Sequence, residues 1–432
     1  MIVGVPGAVV FREIQLGLMH TLLIHQAFSA DSDPGGTRHL ELARRVVAAG
    51  DEFTIIASDV SYLSGKRVTP RLRFMTKEEI DGISIVRSYT PSFLHRSYLW
   101  RVLAFLTFMI TSTIAGLKVG PVDLVMGTSP PIFQAVSAWA VAFLRRKPFL
   151  LEIRDLWPEF AIDIGVLTNP VLIALSRWLE KFLYRRATHL LVNSPAYRGY
   201  LISKGVPAAK VSLISNGVEP GMFDPLDCGD SVRREFNLSG KFVVTYAGAL
   251  GMANDIDTLI RAAEHLRRTA NIHFLLVGGG KELERLQSDV SNRGLTNVMF
   301  AGPQPKNRVP AFLAASDACV ALLKNIPMFR TTYPNKVFDY MAAGRPTVLA
   351  IDGVIREVIE AAHGGIYVSP GDDTAIADAI CTLSGNPLLS NQMGKAARDY
   401  VVTHFNRRDQ AQSFLRLLRS FTVEAAPVAA TD

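Results

Sequence analysis

Short apolar runs alternate along the whole chain with longer stretches in which apolar residues recur every three or four positions. Runs bounded by turn residues predict strands, and the longer periodic stretches predict helices. In the first half, strands are predicted at residues 21–25, 53–57, 83–86, 123–126, 149–153 and 189–192. In the second half they fall at 242–246, 272–277, 297–300, 318–321 and 347–349. Such alternation predicts an α/β protein with parallel sheets, built as two doubly wound units in succession. The stretch DPLDCGDSVRREFNLS at 224–239, rich in turn residues and charge, reads as a connector and sets the domain break near residue 220. The expected organisation is an extension at 1–20, a first domain at 21–219 and a second at 220–403. An amphipathic helix at 404–421 is expected to return to the first domain, followed by a disordered tail at 422–432.

Two helical stretches are more apolar than a surface helix needs. Residues 102–117, VLAFLTFMITSTIAGL, carry no charge and lie between Arg96 and Arg101 on one side and Lys118 on the other. The run is shorter than the ~20 residues of a membrane span. It reads either as a buried helix or as one lying in a membrane interface with basic anchors. The segment PVLIALSRWLEKFLYRRA at 170–187 adds Arg177, Lys181, Arg185 and Arg186 to a second apolar helical pattern. Together they favour peripheral membrane contact through 97–118 and 170–187.

Composition changes this picture only a little. With 432 residues, 49% of them hydrophobic and 20% charged, the chain can fill two cores and is not generally disordered. The net charge of +7 attracts polyanions, whether nucleic acid, an anionic leaflet or phosphorylated substrates. Cys228, Cys319 and Cys381 are too far apart in sequence for a zinc motif, and a reducing cytoplasm is the simplest setting. Arg12 and Glu13 interrupt the mildly apolar start and no basic segment precedes them, which argues against a signal peptide. Met19 is a candidate alternative start, so residues 1–18 need not belong to the native protein.

Open parallel sheets bind ligands outside the carboxyl ends of their strands, so the loops there are where chemistry is sought. After the first strand, SADSDPGGTR places Gly35 and Gly36 just before a helix, where backbone N–H groups could meet a phosphate or the glycines could simply make a turn. Asp31 and Asp33 in the same loop read as a solvated face rather than as metal ligands. EIRDLWPE at 152–159 sends Arg154 and Asp155 from a buried strand toward the opposite domain, as substrate contacts or as a structural pair. In the second half, GALGMAND brings Gly248 and Asn254, and GGGK brings Gly278 and Gly279, to loops that could admit a nucleotide. The most specific stretch is KNIPMFRTTYPNKVFDYMAAGRP at 324–346. There Arg330, Thr331 and Lys336 flank a loop entering a helix near Asn335, a setting suited to a diphosphate, while Asp339 could accept from ribose hydroxyls.

PNKVFDYMAAGRPTV, with NGV at 216–218, VGGG at 277–280 and EIRDLWPE, resembles glycosyltransferase family 4, and within it bacterial O-antigen and exopolysaccharide enzymes. The resemblance runs from about residue 21 to about 421. It implies the GT-B fold: two Rossmann-like domains facing a cleft, the donor held mostly by the second, and a last helix crossing back to the first. It also implies retention of anomeric configuration without a required metal. Three departures stand out, the first being Arg154 before Asp155 where many relatives have a histidine. Where many relatives have a pair of glutamates, this chain has Thr331 and Asp339, so the first carboxylate is missing. Where relatives have a phosphate-binding arginine and lysine, it has Ala249 and Asn254, leaving Arg330 and Lys336 to supply charge.

The expected catalytic set is Arg154, Asp155 and Lys336, with no general base assigned. The expected donor set is Gly35, Gly36, Gly248, Asn254, Gly278, Gly279, Arg330, Thr331, Asn335, Lys336 and Asp339. The implied activity is transfer of a hexosyl or N-acetylhexosaminyl group from a UDP- or GDP-sugar, UDP first, to a polyprenyl-diphosphate-linked or other surface-polysaccharide acceptor. Neither cofactor, metal nor nucleic acid is expected as a partner, and the setting is the inner face of the cytoplasmic membrane. Two alternatives stay open: a sugar-nucleotide epimerase or hydrolase on the same fold, and a degenerate enzyme acting as an assembly subunit.

Overall fold

The computed structural model describes residues 18–423, except 34, 63–64, 70–72, 94–95, 225 and 270. Most of the expected extension and tail therefore lies outside the described residues. The first half runs β1 (His20–Ile24), α1 (Arg38–Ala48), β2 (Glu52–Ser58), β3 (Met75–Ile80), β4 (Ile83–Ser88), α2 (Tyr98–Lys118) and β5 (Leu124–Ser129). It continues with α3 (Ile132–Arg145), β6 (Phe149–Ile153), α4 (Glu159–Asp163), α5 (Pro170–Arg186), β7 (His189–Val192), α6 (Pro195–Ser203) and β8 (Val211–Leu213). These strands form an 8-stranded sheet in the order β3-β4-β2-β1-β5-β6-β7-β8. Every neighbouring pair is parallel except β3 with β4.

The second half runs α7 (Asp230–Glu235), β9 (Phe242–Ala247), α8 (Ile256–His265), β10 (Ile272–Val277), α9 (Leu283–Asn292), β11 (Val298–Gly302), α10 (Val309–Ala314) and β12 (Ala318–Leu322). It continues with α11 (Asn335–Ala342), β13 (Thr347–Ala350), α12 (Val354–Ala361), β14 (Gly365–Tyr367), α13 (Asp373–Gly385), α14 (Pro387–His404) and α15 (Arg407–Val423). Its sheet is 6-stranded and parallel, in the order β11-β10-β9-β12-β13-β14. Central strands such as β5, β6 and β12 are buried at every position, as a parallel sheet covered on both faces requires.

The structure adds three strands to the sequence reading and corrects its all-parallel sheet. β3 reads MTKEEI, too polar to signal a strand, and it pairs antiparallel at the sheet edge, where charge discourages further pairing. β8 and β14 are only 3 residues long, too short to show a period. The fold also starts earlier than expected, because Met19 is buried against the first core and its N–H donates to Asp51.

Helix α2 is longer than its uncharged run. Ser97 caps it by accepting from the Trp100 N–H at 3.3 Å, and its 21 residues include a stretch, Leu99–Lys118, long and apolar enough to cross a membrane. Yet α2 belongs to the core: Phe108 and Ala115 pack with Ile56, Val86 and Val125. Its other face exposes Leu99, Leu103, Leu106, Ile110, Ile114 and Leu117, whose three- and four-residue spacing makes one continuous stripe. Asn169 caps α5, with Pro170 in its first turn, and that helix exposes Val171, Leu172, Leu175 and Trp178.

The returning helix starts later than expected, since His404 ends α14 and α15 begins at Arg407 and runs past 421 to Val423. Phe414, Leu418 and Phe421 bury themselves among Leu40, Leu42 and Phe53 of the first domain. Arg407 pairs with Glu41 at 2.6 Å, and Arg419 with Asp51 at 2.9 Å.

Candidate active site

Each sheet reverses its strand order at one point, between β1 and β5 in the first and between β9 and β12 in the second. The loops leaving those strands face each other, and ligands in open α/β sheets bind at such points. Between them lies a cavity of about 490 Å³. Arg154, Asp155 and Tyr197 line it from the first domain, and Asn254, Tyr333 and Asn335 from the second.

On the second-domain side, Lys336 lies behind the lining residue Asn254. Its Nζ donates to Tyr246 Oη at 2.7 Å and to Asn254 Oδ1 at 2.9 Å, and sits 4.3 Å from the Tyr246 ring centre. Among the described residues no carboxylate pairs with it, and burial pulls its pKa down to about 7. The neighbouring turn at Gly278 leaves room for nothing larger than hydrogen, and the one at Gly248 is tight. A Cβ on Gly278 would stand 1.8 Å from the Gly248 carbonyl oxygen, and one on Gly248 would stand 3.0 Å from Lys336 Nζ. Gly248, Asn254, Gly278, Asn335 and Lys336 are thus brought together at the entry to α11. The Asn335 side-chain oxygen is buried with no hydrogen-bond partner, and its amide nitrogen lies 3.8 Å from the Cβ position of Gly36. Gly279 packs beside Pro303, one step back from this group.

Arg330 does not join them. It is exposed and turns to Asp352 at 3.5 Å, beside a separate hollow lined by Lys324, Ile326 and Ile351. The structure does not bring Arg330 to Lys336 as expected: its turn, Pro327–Thr331, presents Phe329 inward and the arginine outward. Thr331 is likewise tied back, its hydroxyl donating to the Met328 carbonyl at 2.6 Å, and Thr332 is the neighbour that lines the cavity.

Asp339 lies just outside the cavity. Its carboxylate accepts from Lys306 Nζ at 2.6 Å in a crevice with Gly36, Thr37, Glu41 and Arg407. Burial raises its pKa, and Lys306 opposes that rise. The space before it is only about 20 Å³, room for about one water. A ribose can reach Asp339 only if α1 and α11 separate. The Lys306 N–H also donates to the Asp33 carbonyl across the domains at 3.3 Å, which holds this crevice shut.

On the first-domain side, Asp155 is pushed up to about 6 by burial, against the pull of Arg154. Arg154 Nη1 lies 3.0 Å from His25 Nε2. An arginine only donates, so His25 accepts there and carries its proton on Nδ1, which is buried without a partner. Burial, then His39 and Arg154, hold His25 well below the usual histidine range, so the ring is neutral. Behind it, Glu152 pairs with Arg38 at 3.0 Å and contacts His39 at 2.5 Å, and these partners outweigh burial to hold its carboxyl well below the usual carboxylate range. Asp31 is bound to Arg44, and Asp33 accepts from the Ala30 N–H.

His25, Tyr197, Lys306 and Arg407 escaped the sequence reading. His25 ends a predicted strand, a position that could have singled it out. Lys306 sits on a short turn, Lys306–Arg308, with no pattern around it.

Comparison with known proteins decides the class. Residues 241–386 match glycosyl transferases group 1, and residues 35–217 match the glycosyl transferase 4-like domain. The chain belongs to glycosyltransferase family 4. This glycosyltransferase is 23% identical over 393 residues to WcaI of Escherichia coli (strain K12), named as a colanic acid biosynthesis glycosyl transferase, covering 88% of this chain and 94% of that one. It is 24% identical to alpha-galactosylglucosyldiacylglycerol synthase of Streptococcus pneumoniae over 52% of this chain and 59% of that protein. The two-domain GT-B fold matches sucrose-phosphate synthase from Thermosynechococcus elongatus with a TM-score of 0.73 at 21% identity, covering 94% of this chain and 100% of that one. Anabaena HepE, solved with UDP-glucose, matches with 0.70 at 19% identity, over 93% and 100%.

Proposed function

We propose that this glycosyltransferase moves a hexosyl or N-acetylhexosaminyl group, with retention, from a UDP- or GDP-sugar to a lipid-diphosphate-linked or saccharide acceptor of surface-polysaccharide assembly. The observation that carries the reading is the Lys336 ammonium, unpaired by any carboxylate among the described residues and set beside the Gly248 and Gly278 turns at the start of α11. A cation, free helix N–H groups and glycine backbone in one dry corner suit a diphosphate. Lys336 reaches Asn254, the position at which relatives carry a lysine, so its charge stands in for the missing one. UDP-glucose bound to HepE supports a uridine donor.

In this reading the acceptor oxygen attacks the sugar C1 as the bond from C1 to the diphosphate breaks, on the same face. The acceptor proton passes to the departing phosphate oxygen. Lys336 and the α11 N-terminus stabilise that leaving group, while Arg154 and Asp155 orient the sugar and acceptor. No metal takes part. The exposed stripe of α2 and the apolar, basic face of α5 support peripheral attachment to a cytoplasmic membrane surface.

The test is nucleoside diphosphate release by the purified protein across UDP- and GDP-sugars, with and without a lipid-diphosphate sugar acceptor. Release that requires acceptor supports transfer. Equal turnover without acceptor would mark a hydrolase or epimerase instead.

A further inference from the structure

A second hollow, of about 360 Å³, adjoins the main cavity. Arg101, in the first turn of α2, lines one side, and Lys281, in the loop after β10, lines the other. Between them the wall is apolar, made chiefly by Ile164, Val166, Met252 and Ala253. No carboxylate lines it, and among the described residues neither Arg101 nor Lys281 forms an ion pair. Ile164, Val166, Ala253 and Asn254 line both spaces, so the two are continuous.

Two unpaired cations in one apolar-walled hollow select a ligand that joins an anionic head to an apolar tail. Arg101 stands in the α2 turn between Leu99 and Leu103, the start of the exposed stripe. A tail leaving the hollow therefore meets an apolar surface, and a group leaving its inner end meets Asn254 and the main cavity. We infer that this hollow binds the diphosphate of a lipid-linked sugar acceptor, with Arg101 and Lys281 gripping the head, the tail leaving along α2 and the sugar directed toward the donor. The inference rests on the glycosyl-transfer reading and names the acceptor subsite of that reaction. Arg101 and Lys281 belong to different domains, so the head has both cations only when the cleft is closed. Acceptor arrival thereby favours the closed arrangement.

The test uses the full chain and farnesyl diphosphate, a soluble short-chain lipid diphosphate, in titration calorimetry, with inorganic pyrophosphate and UDP as comparison ligands. Farnesyl diphosphate should bind in the presence of saturating UDP, and more tightly than pyrophosphate does. Arg101→Gln and Lys281→Gln should each weaken it about tenfold while leaving UDP affinity within about twofold, a change of ~1.4 kcal/mol per tenfold. Unchanged affinity in both variants overturns the site, as does displacement of farnesyl diphosphate by UDP, which would put its head at Lys336. Equal affinity for pyrophosphate overturns the lipid. If UDP fails to bind while the two variants still lose farnesyl diphosphate, the donor reading falls and this subsite stands.

Discussion

Lys336 titrates near neutrality because its ammonium has given up water for a tyrosine hydroxyl and an amide oxygen. A diphosphate placed against it reverses that loss and raises its pKa toward the ordinary 10.5. Binding and proton uptake are then linked, and the sign follows from which form binds. The charged lysine binds; in the free protein it is half neutral at about pH 7 and mostly neutral above. Nucleoside diphosphate affinity should thus be nearly flat below pH 7 and fall above it. With free and bound pKa values of about 7 and 10.5, the loss between pH 7 and 8.5 is about 16-fold. Calorimetry with UDP across that range, in buffers of different ionisation enthalpy, measures both the slope and the proton taken up. Lys336→Met should bind UDP at least tenfold more weakly at pH 7 and show no slope, and Lys336→Arg, always charged, should also lose the slope. A flat wild-type profile, or a slope that survives in the methionine variant, refutes the assignment.

Other outcomes follow from the same geometry. Asp155→Asn should remove an acidic limb near pH 6 from the rate profile and lower kcat at least tenfold, while raising the melting temperature above pH 6, where a buried carboxylate costs stability. Arg330→Ala should leave UDP affinity within about twofold, because that side chain faces Asp352. Phe414→Ala should destabilise the protein by about 3–5 kcal/mol in denaturant unfolding. Replacing Leu106 and Ile110 by Glu should abolish co-sedimentation with anionic vesicles and leave the melting temperature unchanged, since both side chains are exposed.

The sequence carried the fold wherever burial wrote a clear period. β6, β7 and β10 fall on their predicted limits because each is a buried apolar run between turn residues. β3 was hidden by the charges that protect an edge, and β8 and β14 by brevity. At the site, the residues of one loop were legible as a group: Asn335 and Lys336 belong to a glycine-flanked helix entry whose chemistry is local. Arg330 faces Asp352 rather than Lys336, because sequence distance says nothing about which side of a turn a side chain leaves. Lys306 carried no signal, and Arg101 and Lys281 read only as a helix anchor and the end of a glycine loop, since each matters through what another part of the chain brings opposite it.

Helix α15 has a meaning for how the molecule is made. Glu41 and Arg407, 366 positions apart, meet in one ion pair, and Phe414 and Leu418 fill the bed left by Leu40 and Phe53. Domains generally fold in order as the ribosome releases them. Here the first domain to emerge is roofed by a helix that follows the whole of the second domain. Until then its greasy underside stays open, and any chain cut short before residue 407 carries that surface uncovered. The closing helix thus makes synthesis through both domains a condition for hiding that apolar face, and the same residues hold the two halves of the enzyme together.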